Sequence, residues 1–170
     1  TATNLQANAQ EIKFKVFKTI KIGTYKSVNS IAKDLDKKEC SISGWASEIF
    51  ENPSFVFVQK EELVDLVAIS GEDLGLNDPA PYEDICKKAL ASGLHLCPAE
   101  VGPQLRLQYL NQPRKEFLRI AMDPIYCSGK KTPSIFLVGC GDGELWLTAS
   151  GGNPDVVWSL DSKFIFCLKK

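Results

Sequence analysis

Residues 93–125 read GLHLCPAEVGPQLRLQYLNQPRKEFLRIAMDPI, and this stretch decides the fold that the sequence predicts. It contains the chain's single histidine, its single methionine, its three arginines and four of its nine prolines. Apolar and polar residues alternate over 104–109 and again over 116–123, which is the period of a half-buried strand. Asparagine and proline within 111–114 indicate a turn between the two runs. The stretch therefore predicts an antiparallel hairpin.

The predicted hairpin brings two arginines together. Its register pairs Leu107 with Leu118 on the apolar face and places Arg106 opposite Arg119 on the other face. Like charges directly opposite each other destabilise a sheet, so we expect a negative group close to both guanidinium groups. The sequence leaves open whether that group is an internal carboxylate or a bound anion, or whether the register differs.

Five residues around this hairpin are candidates for a binding site: Glu100, Arg106, Gln108, Arg119 and Asp123. A guanidinium presents its donors in a planar fork, so one carboxylate can bridge two arginines. Glu100 is the expected bridge, because it lies just before the first strand and can fold back across the glycine–proline pair that follows it.

The composition is that of one globular domain. The chain has 170 residues, 44% of them hydrophobic and 24% charged, with a net charge of −1. No apolar run approaches the roughly 20 residues that a membrane-spanning helix needs. The first ten residues lack the basic start and apolar core of a signal peptide. A cytoplasmic location without membrane contact is therefore expected.

Six cysteines are spread along the chain at irregular intervals, at positions 40, 86, 97, 127, 140 and 167. None belongs to a C-x-x-C pair, and several lie within apolar runs, so we expect buried reduced thiols rather than disulfides. The spacing matches no metal-binding signature, and no metal or cofactor is predicted.

The remaining pattern predicts an α+β fold. Residues 1–10 are expected to form a flexible tail, and residues 11–170 a single domain. Strand patterns dominate the C-terminal half, while about three helices interrupt the N-terminal half, near residues 28–35, 43–51 and 81–92. Such an order is typical of a largely antiparallel sheet, here with about seven or eight strands.

A lysine row marks the first predicted strand, residues 12–22, where Lys13, Lys15 and Lys21 share the outer face. This row suits an edge strand that is protected from pairing with other chains. Nucleic-acid binding is the alternative, but residues 41–102 carry eleven acidic and three basic residues, so it is not expected.

His95 and Cys97 are two residues apart and would share a face of an extended segment, as a nucleophile and its base must do. No third group that would orient the histidine is evident from the sequence. The alternative is a surface histidine beside a buried thiol, and no catalytic residue is assigned.

Several motifs together resemble a family of uncharacterised bacterial proteins. They are VFKTIKIGT from Val16, LVAISGEDLGL from Leu66, the block GLHLCPAEVGPQLRLQY from Gly93, and IAMDPI. The family shares GL-x-LCPAEVGPQLRLQY and IAM-[DE]-PI. This resemblance implies a bacterial origin and one intact domain, but no activity. His95 stands where the family has glutamate, which argues against a catalytic histidine.

Three classes of function remain after these exclusions. The leading hypothesis is a non-enzymatic binding or interaction module whose partner is a protein or a small anionic ligand. The alternative is a small hydrolase or transferase with a site around Glu100, Arg106 and Arg119. A nucleic-acid binder that uses the N-terminal lysine strand is the third possibility.

Overall fold

The fold is described from a computed structural model, which places residues 14–127 and 133–168. The predicted tail over residues 1–10, and Lys13 with it, lies outside these described ranges. The other predicted elements can be compared with the structure.

The described ranges contain four helices, one more than the sequence predicts. They are α1 Val28–Lys37, α2 Gly44–Glu51, α3 Tyr82–Ala91 and α4 Val101–Gln108. Serine hydroxyls cap the first two: Ser27 accepts from the Ser30 N–H at 3.2 Å, and Ser43 accepts from the Ala46 N–H at 3.1 Å. No described helix is both long and apolar enough to cross a membrane.

Eleven strands complete the described ranges. They are β1 Lys18–Ile22, β2 Cys40–Ile42, β3 Glu62–Ser70, β4 Ala80–Pro81, β5 Leu94–His95, β6 Phe117–Ile120, β7 Ile125–Tyr126, β8 Pro133–Cys140, β9 Leu145–Gly151, β10 Val157–Trp158 and β11 Lys163–Leu168. Residues 55–58 are irregular, and the described part of the predicted first strand, residues 14–22, is a regular strand only over β1.

Most strands form one large sheet in the order β1-β3-β11-β6-β8-β9-β2, with β5 added beside β11 and β7 beside β8. The short strands β4 and β10 pair separately. Two neighbouring pairs, β11 with β6 and β2 with β9, are parallel. The sheet is therefore mixed, which corrects the prediction of a largely antiparallel sheet. The α+β class itself is confirmed.

The predicted hairpin partner of β6 is the largest error in the fold. Residues 104–108, expected as a strand, belong to helix α4, and β6 pairs instead with β8 and β11. Pro103 lies in the first turn of α4, where its missing N–H costs no helical hydrogen bond. A Cβ on Gly102 would lie 2.6 Å from the ring of Phe136. The helix therefore packs so closely against β8 that only glycine fits at this position.

The two faces of the sheet carry different helices. Phe136 of β8 contacts Phe50 of α2 and lies beneath Gly102 of α4, so these two helices cover one face. Tyr82 of α3 packs against Phe164 of β11. Phe164 of β11 pairs with Arg119 of β6, and Arg119 pairs with Leu137 of β8, so these three side chains lie on one face of the sheet. Leu137 directly follows Phe136 in β8. Because successive side chains of a strand alternate, α3 and Arg119 lie on the face opposite α4.

Candidate functional site

Glu100 is fully buried and holds two separate loops together. Its Oε2 accepts from the Gly23 N–H at 2.5 Å, at the end of β1, and from Gln104 Nε2 at 3.1 Å. Its Oε1 accepts from the Val58 N–H at 2.8 Å. A buried charge is tolerated when its hydrogen-bonding capacity is met, and here backbone donors meet much of it. The carboxylate is therefore part of the scaffold.

Gln104 and Gln108 continue this role along α4, because residues four apart lie on one helix face. Gln104 Nε2 also donates to the Thr24 hydroxyl at 2.8 Å. Gln108 forms two hydrogen bonds with the backbone of Lys21: Nε2 donates to the carbonyl at 2.8 Å, and Oε1 accepts from the N–H at 2.9 Å. The predicted site residue Gln108 thus closes part of the free edge of β1.

Arg106 is fully buried, and its guanidinium donates hydrogen bonds to neutral acceptors. Nη1 donates to Gln112 Oε1 at 2.7 Å and to the Gly139 carbonyl at 3.0 Å, and Nη2 donates to the Tyr109 carbonyl at 2.5 Å. It forms no ion pair with a described carboxylate, and its burial lowers the pKa of the guanidinium. Arg106 therefore ties the end of α4 to the β8–β9 pair.

Arg119 lies on the other side of the sheet, half-buried against aromatic rings. Its guanidinium carbon is 4.4 Å from the ring centroid of Trp158 and 6.0 Å from that of Phe164, which is the geometry of a cation–π contact. Burial lowers the pKa of Arg119, and the charge of Asp161 partly offsets this effect.

The expected carboxylate bridge between the two arginines is therefore wrong. Arg106 lies on the α4 side of the sheet and Arg119 on the α3 side, and Glu100 hydrogen-bonds to neither of them. The physical reason is the helix: residues 104–108 coil instead of extending, so Arg106 is not carried across from β6. The structure does not bring Glu100, Arg106 and Arg119 together as one cleft.

Asp123, the fifth predicted residue, is different from the other four. It is exposed and forms no hydrogen bond or ion pair with another described residue. With Pro124 it forms a ridge between two pockets, of about 340 Å³ and about 430 Å³, and lines both of them. We call this surface the Asp123 ridge.

The first pocket beside the Asp123 ridge lies between α3 and the β7 region. Its walls are largely apolar, and a second carboxylate, that of Glu83, lies at its rim. The lining includes Tyr82, Leu96, Met122, Tyr126, Pro133 and Pro154. Cys86 also borders it, and burial of this thiol raises its pKa to about 11.

The second pocket lies on the opposite side of the ridge, against the irregular segment after α2. Its lining includes Val56, Phe57, Val58, Cys97, Ala99 and Ile125. Val56 and Tyr126, one beside each pocket, are exposed to 67% and 65%. Two largely apolar pockets are thus separated by a carboxylate that has no ion-pair partner among residues 14–127 and 133–168.

A third pocket, of about 500 Å³, contains lysines and is bordered by β1, α1 and α4. We call it the lysine groove; Lys21, Lys37 and Lys38 line it together with Asp34 and the Gln108 side chain. Two of these lysines are paired with acids: Lys21 with Glu61 at 3.5 Å, and Lys37 with Asp34 at 3.8 Å. This pairing reduces the groove's attraction for an anion.

His95 and Cys97, to which the sequence assigns no catalytic role, lie in different environments. His95 is exposed on β5, whereas Cys97 is buried and lies 3.3 Å, sulfur to sulfur, from Cys167. No sequence motif indicates this thiol pair, because its members are 70 positions apart. All six cysteines are free, as predicted.

Comparisons with models of known protein families, with curated proteins and with solved structures found no match to this chain. The function of the chain is therefore argued from the geometry of its own residues.

Proposed function

We propose that the protein is a non-enzymatic interaction module that binds an extended segment of a partner protein across the Asp123 ridge. The segment carries a lysine or arginine flanked by apolar side chains. One observation carries the proposal: Asp123 presents an exposed carboxylate, without a described ion-pair partner, between two apolar pockets.

The shape of the surface favours an extended chain over a compact ligand. In an extended chain, residues i, i+2 and i+4 point the same way and follow one another about 7 Å apart, so a basic side chain at i+2 can face Asp123 while apolar side chains at i and i+4 enter the two pockets. Two pockets that flank a single ridge provide separate places for two apolar side chains. Each pocket, at about 340 Å³ and 430 Å³, is larger than a single aliphatic side chain requires.

The charge of the surface favours a basic residue at the centre of the segment. The described residues lining the two pockets include the carboxylates of Glu83 and Asp123 and no basic side chain. Glu83 already has a partner, Lys87, at 3.4 Å, so Asp123 is the stronger attractor. Complementary charge of this kind chiefly sets the specificity and rate of association.

The exposed apolar side chains supply the remaining free energy of binding. Val56 and Tyr126 would lose contact with water under a bound segment, and each square ångström of buried apolar surface contributes roughly 25 cal/mol. Tyrosine is also among the residues enriched in protein interfaces. A reducing compartment such as the cytoplasm suits this module, because all six thiols are free.

The alternative functions have weaker support in the geometry. Glu100 and Arg106 direct their polar atoms at the chain's own backbone, and Arg119 lies on the other face of the sheet, so a hydrolase or transferase site would have to be built elsewhere. A nucleic-acid site on β1 has weak support, because two of its lysines are already engaged within the chain. Lys18 lies over the Tyr109 ring and Lys21 pairs with Glu61.

Selection from a random-peptide library displayed on phage tests the proposal. The wild-type chain is expected to enrich peptides with a basic residue between apolar residues. The Asp123→Lys variant is expected to lose them, because it repels the basic residue. Asp142→Lys, which makes the same charge change in the exposed β8–β9 turn, should select like the wild type. Enrichment of acidic peptides, or equal selection by both variants, would contradict the proposal.

A further inference from the structure

Cys97 and Cys167 form a close pair of thiols in the core. Cys167 of β11 is the antiparallel partner of His95 on β5. Cys97 lies two residues after His95, just beyond the end of β5. The two sulfur atoms share a hydrogen bond at 3.3 Å, and both residues are buried. The backbone at Cys97 is held by its N–H, which donates to the Ala121 carbonyl at 2.7 Å.

We propose that Cys97 and Cys167 are a redox-active dithiol that a hydroperoxide converts reversibly into an intramolecular disulfide. This inference is independent of the interaction proposed for the Asp123 ridge. It rests on the distance between the sulfur atoms, on their burial beside two pockets and on the fixed backbone around them.

The geometry leaves little motion to complete. A disulfide requires a sulfur–sulfur distance of about 2.05 Å, so the two atoms must approach by about 1.3 Å from their present separation. Among the described thiols, this pair is joined by a sulfur–sulfur hydrogen bond. Cys97 also donates to the Ile165 carbonyl at 3.4 Å, while Cys127 and Cys40 approach backbone carbonyls. The other cysteines are therefore expected to be slower to cross-link.

The surroundings assign different roles to the two thiols. Cys167 borders a pocket of about 360 Å³ that is also lined by Glu62, Asp65 and His95, so a small neutral oxidant can approach it. The hydrogen bond between the two thiols lowers the pKa of Cys167, while burial raises the pKa of Cys97. Because the thiolate is the nucleophile, Cys167 reacts first.

The reaction then proceeds in two balanced steps. The Cys167 thiolate attacks one oxygen of hydrogen peroxide, the O–O bond breaks, and a sulfenic acid forms with release of one water after protonation. The Cys97 sulfur attacks the Cys167 sulfur, its proton leaves with the hydroxyl as a second water, and the S–S bond forms. Two thiols are oxidised and one peroxide is reduced to two waters.

Mass spectrometry of the full chain tests the inference. The reduced protein is treated with one equivalent of hydrogen peroxide, blocked with N-ethylmaleimide and digested without reductant. The expected product is a Cys97–Cys167 disulfide that dithiothreitol reverses and that exceeds every other cross-linked cysteine pair in yield. Retention of both thiols, while other cysteines oxidise, would overturn the inference.

Variants separate the two roles and guard against misfolding. Cys97→Ala removes the resolving thiol, so the sulfenic acid at Cys167 should accumulate and be trapped by dimedone. Cys167→Ala should give no adduct at Cys97. Cys127→Ala is the matched control, since Cys127 is equally buried and should leave the Cys97–Cys167 disulfide unchanged. Disulfide formation by other pairs, or dimedone labelling that favours Cys97, would contradict the assignment.

Discussion

Replacing Glu100 with glutamine is expected to lower the free energy of unfolding by about 3 kcal/mol, the loss that follows when buried donors to a charged group lose their acceptor. The carboxylate accepts hydrogen bonds through both oxygens, from the Gly23 and Val58 N–H groups and from Gln104. Glutamine offers one oxygen, and its NH₂ group would then face a backbone N–H donor. Urea unfolding followed by circular dichroism measures the change.

The matched control is Glu61→Gln, the same chemical change on the surface. Glu61 pairs with Lys21 at 3.5 Å, and its side chain is 62% exposed. Exposed pairs contribute little, so the control is expected to stay within about 0.5 kcal/mol of the wild type. Equal stabilities for the two variants would show that Glu100 does not hold the two loops.

Replacing Gly23 with alanine is expected to lower the free energy of unfolding by at least about 3 kcal/mol. The added methyl group would clash with the neighbouring backbone and would also strain the left-handed conformation of this residue. Gly23 has a φ of +80°, and a Cβ on it would lie 2.1 Å from the carbonyl oxygen of Lys60. The shift needed to relieve this clash would also displace the N–H that donates to Glu100.

Gly75→Ala separates the effect of the clash from that of the backbone conformation. Gly75 has a similar φ of +85°, but a Cβ there meets no atom within 4 Å. Its replacement should therefore lower the free energy of unfolding by only about 1 kcal/mol, the cost of placing a non-glycine residue in the left-handed conformation. If the two variants lost the same stability in urea unfolding, close packing at Gly23 would not be part of the fold's stability.

Elements with strong local signals could be predicted from the sequence. Ser27 and Ser43 cap α1 and α2 as their positions before an apolar stripe indicate, and α3 begins after Pro81 with acids in its first turn. The last strand, Lys163–Leu168, contains the continuous apolar run of residues 164–168. In these segments the hydrophobic period, the capping residues and the turn residues all indicate the same secondary structure. Contacts with distant parts of the chain therefore do not change it.

Helix α4 could not be predicted because its local signals conflict. Leucines at 105 and 107 suggest a strand, while Glu100, Gln104 and Gln108 recur at the four-residue spacing of a helix face. The helix is stabilised because Glu100 bonds the Gly23 and Val58 N–H groups, Gln108 bonds the backbone of Lys21, and Gln104 donates to the Thr24 hydroxyl. Such partners are distant in the sequence, so their presence is known only from the fold.

The candidate site was predictable only in part, for the same reason. Asp123 could be named as a negative group close to the two arginines of the predicted hairpin, but the pockets beside it are assembled from α3, β7 and the segment around Val56. The Cys97–Cys167 pair depends on β5 lying beside β11. Neither arrangement leaves a spacing signature in the sequence.

A titration followed by ¹H–¹⁵N correlation spectra tests the central claim most directly. The ligand is the peptide most enriched on the wild-type chain in the library selection, added to the wild-type, Asp123→Asn and Asp142→Asn proteins. The shifts are expected to centre on Asp123, Tyr126 and Val56. The Kd should rise about tenfold in Asp123→Asn, a loss of about 1.4 kcal/mol, and stay unchanged in Asp142→Asn. Shifts confined to the lysine groove, or equal Kd values for all three proteins, would contradict binding at the Asp123 ridge.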